Sequence, residues 1–387
     1  MCDVPALRFP EFTEEWKKIR LGDNCNIQMC KRIMAAQTNT EGGVPFYKIG
    51  TIGGKADAYI SKDLFDEYKR KYSYPNKGEV MITCAGTVGK CVIYDGEDSY
   101  YQDSNIVWID NPNEIISNDF LYHLLSNINW SYLNSTTIVR IYNDDLRNLK
   151  LCCPRLDEQK KIANFLSLID ERIAAQNKII EDLRLLRDAI MVEHYRKCNK
   201  SELYIYDIGE PFNVMNLSKD DLTKDGSPCI IYGELFTTYG CVIENVVSHT
   251  TKSPNSTLST KGDLLFPAST TVDALSLIAP SSINEDGIIL GGDMFGIHVN
   301  EQYNSNYLSY YFNIIGKKNL AKFAKGSTII HLHYADIQKA KITLPNKNEQ
   351  ETVANLLLKV EHKLNIEQKM LINYLNTKNF LLRQMFI

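Results

Sequence analysis

A duplicated α+β chain, in which each of two mixed domains is followed by a long helix, is the fold class that the sequence predicts. Three observations predict it: a self-similarity at a fixed offset, two long segments without Gly or Pro, and short β-like runs punctuated by turn residues between them.

The repeat comes first, because it sets the frame for everything else. Leu151 to Phe165 (LCCPRLDEQKKIANF) matches Ile342 to Leu356 (ITLPNKNEQETVANL) at a constant offset of 191. Pro154 pairs with Pro345, Glu158-Gln159 with Glu349-Gln350, and Ala163-Asn164 with Ala354-Asn355. The same offset joins Thr137-Ile138 to Thr328-Ile329 and Asp145 to Asp336. Further upstream it drifts to about 183–187, pairing Pro45 with Pro228, Lys77-Gly78 with Lys261-Gly262 and Leu21-Gly22 with Ile208-Gly209. Drift of this kind means loop insertions early in each unit and none late.

Each unit ends in a stretch free of Gly and Pro, from Leu156 to Lys200 and from Asn346 to Ile387, which permits a long helix. Alternating steps of four and three pick out Ile162, Leu166, Ile169, Ile173, Gln176, Ile180, Leu183, Arg187 and Ile190. Adding 191 gives Val353, Leu357, Val360, Leu364, Glu367, Leu371, Tyr374, Lys378 and Leu381, with polar residues at the same two steps. A seam averaging 3.5 residues per repeat demands a helical partner, and each helix has one in the other. The alternative is that each amphipathic helix packs only on its own domain. Asp157 and Asn348 are the expected N-caps, Asn348 with Glu351 as a capping box. About 35 residues at 1.5 Å rise make each helix about 50 Å long.

Between the helices, Glu79–Thr83, Cys91–Tyr94 and Ile106–Ile109, then Asp263–Phe266, Ile288–Leu290 and Phe295–Val299, read as strands. Asp95-Gly96, Asp225-Gly226 and Gly291-Gly292 supply turns. Helices are expected around Asp119–Asn127 and Asn306–Phe323, giving α+β domains with mixed, mostly antiparallel curled sheets. The divisions are 1–154 and 201–345 for the domains, 155–200 and 346–387 for the helices.

Composition sets the class. The 387 residues are 44% apolar and 23% charged, an ordinary globular balance that argues against disorder. No run of about 18 apolar residues occurs. The N-terminus MCDVPALRFPEF lacks the basic-then-apolar pattern of a secretory signal, so the expected location is the cytoplasm. Ten cysteines there are expected as small buried hydrophobes rather than disulfides. Cys25/Cys30, Cys84/Cys91 and Cys152/Cys153 form no C-x-x-C pair, which argues against zinc. The net charge of −4 is uneven: 1–154 and 201–345 are acidic (−3 and −5), the two helical segments basic (+2 each).

At this point the residues resemble a known family. Leu7 to Asp23 (LRFPEFTEEWKKIRLGD), Lys77 to Lys90 (KGEVMITCAGTVGK), Gly292 to Val299 (GDMFGIHV) and the helix entry Leu344 to Gln350 (LPNKNEQ) are similar to specificity subunits of type I restriction–modification enzymes. The likeness extends over essentially the whole chain, carried by the order of these motifs within the duplicated layout. It implies that each domain is a target-recognition domain and that the two helices form an antiparallel coiled coil spacing them, an internal pseudo-twofold duplication. It also implies double-stranded DNA, two methyltransferase subunits and two endonuclease/translocase subunits as partners, with S-adenosylmethionine, ATP and Mg in those subunits and no cofactor here. Two similar but non-identical domains on a spacer suit an asymmetric bipartite DNA site with an unread middle.

Candidate DNA contacts are read from charge and aromatic interleaving. In the first domain, Tyr68, Lys69, Arg70, Lys71 and Tyr72 lie in the run EYKRKYSYP, where cations can neutralise phosphates and tyrosines can stack. A solvated helix face or loop is the plainer reading. In the second, no acid occurs between Glu301 and Asp336, a stretch carrying Lys317, Lys318, Lys322, Lys325, Ser327, His331 and His333. A partner-docking face is its rival. Gly86 to Lys90 is not a phosphate loop, since two residues rather than four separate its glycines and Cys91 follows the lysine. A tight inter-strand turn is expected, with Lys90 free to touch a phosphate; the matching place in the second unit reads Ser269-Thr270-Thr271-Val272-Asp273. His331 and His333 share a strand face without an evident third metal ligand.

Enzymatic chemistry finds no home. Asn111-Pro112-Asn113 does not match an adenine-methyltransferase Asn/Asp-Pro-Pro-aromatic element, and Glu158-Gln159-Lys160 opens a helix rather than a nuclease strand. The chain is therefore expected to be non-catalytic. The rivals are a coiled-coil scaffold without DNA binding, which salt-sensitive binding to random duplex would exclude, and an enzyme with an unrecognised site.

Overall fold

The computed structural model describes residues 4–112, 115–133, 140–214, 216–251 and 257–386. They form two compact units, Met1–Gln176 with Met370–Ile387, and Asn177–Lys369. The boundaries cut through both long helices, so each unit comprises one domain, the first half of the helix that follows it, and the second half of the other helix.

In the first unit the strands Asn26–Gln28, Ile106–Asp110, Val80–Thr83 and Cys91–Ile93 lie in that order, all antiparallel. The two central strands are buried on both faces, which is why VMIT and IVWI read as continuous apolar runs. Val80, Ile82, Val107 and Ile109 point to a core shared with the helix Asn118–Asn127. Met81, Ile106 and Trp108 point the other way, with Phe46, Ile60 and Tyr100 of a second sheet. That sheet is ordered Thr38–Asn39, Tyr59–Ile60, Val44–Tyr47, Tyr100–Tyr101, its last pair parallel. Lys17–Arg20 pairs antiparallel with Lys150–Cys153, closing the domain where the helix begins.

The second unit repeats the plan. Gly209–Asn213, Met294–Val299, Asp263–Pro267 and Ser281–Ile283 follow the same order, with Val242–Ile243 added in parallel at the edge. Its second sheet again contains one parallel pair, Ser227–Ile231 with Ile289–Gly291. Ser201–Tyr204 and Lys341–Leu344 are the closing pair. The helix expected over Asn306–Phe323 stops at Ile314; Gly316 follows, and separate short turns, Lys317–Leu320 and Ala321–Phe323, carry the lysines.

The long helices run Leu156–Lys197 and Lys347–Met385. Each starts earlier than Asp157 and Asn348 suggest. Asn346 is the capping residue of the second, accepting from the Glu349 N–H at 3.1 Å while its amide donates to the Glu349 carboxylate at 2.9 Å. All nine seam positions on each helix are buried or half-buried. Within the first unit the halves run antiparallel: Asp170 pairs with Lys378, and Arg172 reaches the Tyr374 hydroxyl at 3.2 Å. Ile162 and Leu166 there share a core with Leu381, Leu382 and Met385. In the second unit Arg187 pairs with Glu361 at 3.4 Å, and Met191 packs with Val353 and Leu357.

The repeated Glu-Gln entry has a structural use. The Gln159 amide donates to the Pro154 carbonyl (2.9 Å) and its oxygen accepts from the Ser117 N–H (2.8 Å). Gln350 does the same with Pro345 (2.8 Å) and Asn304 (3.0 Å). Ser117 and Asn304 are the N-caps of the two domain helices, so each glutamine fastens a long helix to its domain. Most cysteines among the described residues are buried free thiols. Cys152 departs from the expectation and is disulfide-bonded; it stands on the more accessible face of its strand, whereas Cys153 turns into the core.

Two buried polar groups of the first unit give predictions. The Arg8 guanidinium grips the Glu158 carboxylate with two bonds of 2.7 Å, and the Glu158 side chain is 1% exposed. Arg8→Met strands that charge and is expected to cost about 3–5 kcal/mol in urea unfolding, part of it recovered by adding Glu158→Gln. His123 is buried with Nε2 3.3 Å from the Ser167 hydroxyl. Burial pushes its imidazole down from 6.5 to about 4, Asp170 opposing and Lys378 assisting. The folded state thus favours the neutral ring, and stability present above about pH 6.5 is lost as pH falls toward 4. Between pH 7 and 5 this group is expected to remove about 2 kcal/mol; unfolding curves of His123→Gln should show a correspondingly flatter pH profile.

Candidate nucleic-acid interface

In the first unit the EYKRKYSYP run forms the end of the helix Lys62–Lys71, capped by Ser61, and the segment after it. Phe65 is fully buried, and Tyr68 is half-buried edge-on to Tyr72 and Tyr100. The cations are engaged locally. Lys69 lies 3.2 Å from Asp98 and over the rings of Phe65 and Tyr74, and Lys71 bonds Glu67 at 2.7 Å one turn back. Arg70 and Tyr72 are exposed. Much of the aromatic interleaving is therefore core packing.

Lys90 has a different neighbourhood. The run Gly86 to Lys90 turns tightly between Val80–Thr83 and Cys91–Ile93, with the Thr83 N–H on the Lys90 carbonyl at 3.0 Å and the Gly89 N–H on the Thr83 carbonyl at 2.8 Å. Gly89 has φ +83°, and a Cβ there would collide with Trp130. The Lys90 ammonium donates to the Ile52 carbonyl at 2.5 Å.

In the second unit the sequence-selected residues come together. Lys325 and His331 exchange backbone bonds of 2.9 and 2.7 Å, closing an exposed hairpin with Ser327 near its tip. Its returning strand, Ile330–His331, pairs with Ser269–Thr270, so the segment equivalent to the Gly86 turn forms one wall. Asp273 caps the short helix Ala274–Leu277; the Ser276 N–H and hydroxyl hold its carboxyl below the ordinary range, with Lys317 adding to the effect. Lys318 and Lys322 are exposed and Lys317 is half-buried. Val272 (72% exposed) and Ile329 (49%) give this edge apolar tips among its cations. Lys325 is paired with Asp336 at 2.5 Å and lowers that carboxyl. His331 and His333 stack at 6.1 Å, and among the described residues no group of three ligands could hold a metal.

One site feature lies outside the charge-based selection. The offset that pairs Asp145 with Asp336 also pairs Arg140 with His331, Ile141 with Leu332 and Tyr142 with His333. The structure treats these pairs alike. The Ile141 N–H donates to the Cys84 carbonyl and the Leu332 N–H to that of Ala268, both at 2.9 Å. Asp145 accepts from the Tyr142 N–H at 2.7 Å, Asp336 from that of His333 at 3.1 Å. Extending the repeat by two residues would have found Arg140. The matched pair just upstream, Thr137-Ile138, lies outside the described residues.

A family model described as the type I restriction modification DNA specificity domain matches residues 13–185 and again 205–376. A putative type I restriction enzyme specificity subunit of Haemophilus influenzae is 48% identical over 183 residues, 47% of this chain and 47% of that protein. The match thus spans about half the length of that relative. The putative type I restriction enzyme MjaX specificity subunit of Methanocaldococcus jannaschii is 24% identical over 397 residues, covering 93% of this chain and 90% of that one. In fold the chain is similar to the type I restriction–modification S subunit from M. genitalium, with TM-score 0.64, 16% identity and coverage of 100% and 99%. A chain from a structure addressing assembly of the type I system gives TM-score 0.53 at 15% identity, covering 97% and 98%.

The lysine edge yields a quantitative expectation. Replacing Lys317, Lys318 and Lys322 together by Ala should flatten the slope of log affinity against log salt by about 2–3, while Lys325→Ala, whose charge is taken up by Asp336, should change it by less than about 1. Fluorescence anisotropy with a random duplex measures both.

Proposed function

The chain belongs to the type I restriction–modification DNA specificity family, and from that premise we propose that each unit reads one half of an asymmetric, bipartite duplex site. The observation that carries this reading is the duplicated plan itself. In both units the residue just before Ile141 or Leu332 adjoins the end of the third strand of the first sheet, at Cys84 or Ala268, but with a different side chain, Arg140 in one and His331 in the other. Equivalent placement suits two half-sites on one duplex, and different side chains suit two different half-sequences.

Phosphate contacts are assigned to the cations that stay accessible. These are Lys318 and Lys322, with half-buried Lys317 and with Ser327, in the second unit; in the first, Arg70 supplies an exposed charge beside Tyr72, with Tyr68 packed next to it, Lys69 and Lys71 in local ion pairs and Lys90 at the end of the turn. Methyltransferase and endonuclease/translocase subunits, two of each, would bring S-adenosylmethionine, ATP and Mg, and this chain would supply recognition without catalysis. Leu168, Leu185, Ile372 and Phe380 are large exposed apolar residues on the outer faces of the long helices, and docking of the methyltransferase subunits there would cover them. No helix among the described residues is long and apolar enough to cross a membrane, which fits a role on DNA in the cytoplasm.

Exchange of residues 1–154 for those of a relative tests the reading. Sequencing of the modified genome should show one half of the methylated motif replaced and the other half retained. An unchanged motif would falsify the assignment of that domain to one half-site.

A further inference from the structure

Resting on the half-site reading above, we infer that Arg140 and His331 are the equivalent base-reading positions of the two units, each contacting the edge of a base pair in its own half of the DNA site. Four observations carry this. The two residues occupy the same place in the repeat, at the offset of 191. Each immediately precedes a residue whose N–H is locked at 2.9 Å to the end of the third strand, Cys84 in one unit and Ala268 in the other. Each is followed by a turn fixed by an aspartate, Asp145 or Asp336, so the backbone that follows it is held in place. Each also adjoins the segment after that strand, which differs most visibly between the units: His331 lies directly across from Ser269 in the strand pair, and Arg140 precedes the residue bonded to Cys84.

Their side chains are oriented rather than free. The Arg140 guanidinium donates to the Ser104 carbonyl at 3.3 Å and lies 5.7 Å from the centre of the Tyr142 ring. His331 stacks on His333. A planar fork held against a ring is the donor geometry that reads guanine O6 and N7 together, and an imidazole can bond to one acceptor of a purine edge. Phosphate binding needs charge without a fixed orientation. Base reading needs a rigid backbone under a side chain free to differ between copies, and these two positions combine those properties. Lys317, Lys318 and Lys322 of the same unit would then fix the register of the duplex without reading it.

The test uses the full chain at its native locus, with its modification partners, and reads the methylated motif genome-wide. Arg140→Ala and His331→Ala are the variants, with Arg140→Lys and His331→Gln as conservative partners in case a truncation impairs folding. Arg140→Ala and Arg140→Lys are expected to relax one or two positions in one half of the motif, with discrimination there falling about ten- to hundredfold. The His331 variants should relax the other half, each leaving its opposite half intact. Modification of the wild-type motif at reduced rate over all sites, or relaxation of the same half by both sets, would overturn the inference and make these residues phosphate or packing contacts. The domain exchange separates the two levels. If it replaces one half of the motif while Arg140→Lys leaves the motif intact, the half-site reading stands and this inference fails. If the exchange changes nothing, the reading beneath it fails.

Discussion

Pairing of the two long helices is the constraint on which each unit depends. A single amphipathic helix of about 40 residues would leave its apolar stripe in water, and here each half-stripe is covered within its unit by the antiparallel half of the other helix. The core of the first unit is completed by Leu381, Leu382 and Met385, almost at the end of the chain. That of the second is completed by Met191, which stands at the place equivalent to Leu382. The first domain therefore does not close its core using only residues adjacent to it in sequence, whereas the second unit is one continuous stretch, Asn177–Lys369.

The polar interruptions of the seam serve the same pairing. Lys378 meets Asp170 in one unit and Arg187 meets Glu361 in the other, and both the cations and the acids are 191 residues apart. Duplication has made the pairs reciprocal, each helix giving a cation in one unit and an acid in the other. Half-buried ion pairs of this kind add little net stability compared with apolar packing, but a shift of register would leave each charge without its partner, so they specify alignment. Gln159 and Gln350 complete the scheme, because each joins its helix to the cap of a domain helix and transmits that alignment to the sheets.

Much of this was legible in the sequence. The two central strands of each first sheet, the two long helices and their polar breaks all follow from apolar periodicity and the repeat, since burial on a helix or sheet imposes its period directly on the residue order. Both helices begin two residues earlier than the caps expected from the sequence imply; in the second, Asn346 and Asn348 are both competent caps and only the folded turn selects between them. The lysine-rich second-domain stretch is legible as charge without acids, whereas its division at Gly316 is set by the folded turn between Ile314 and Lys317. In the first domain the tyrosine-lysine interleaving looked like a binding surface, whereas Phe65, Tyr68 and Tyr74 are largely engaged in packing and Lys69 and Lys71 in local ion pairs.

What the sequence by itself determined was architecture and family: a duplication with a drifting offset in the domains and a fixed one at the helices, and the motifs that mark it as a specificity chain. Only the tertiary structure decided which cations are already paired, that Gln159 and Gln350 are fasteners, and that the residues after Arg140 and His331 are anchored alike to the end of a strand. The reason is physical. Periodicity and propensity are carried by neighbours along the chain, while charge compensation, side-chain anchoring and the outline of an interface depend on residues that meet only after the sheets and helices have closed.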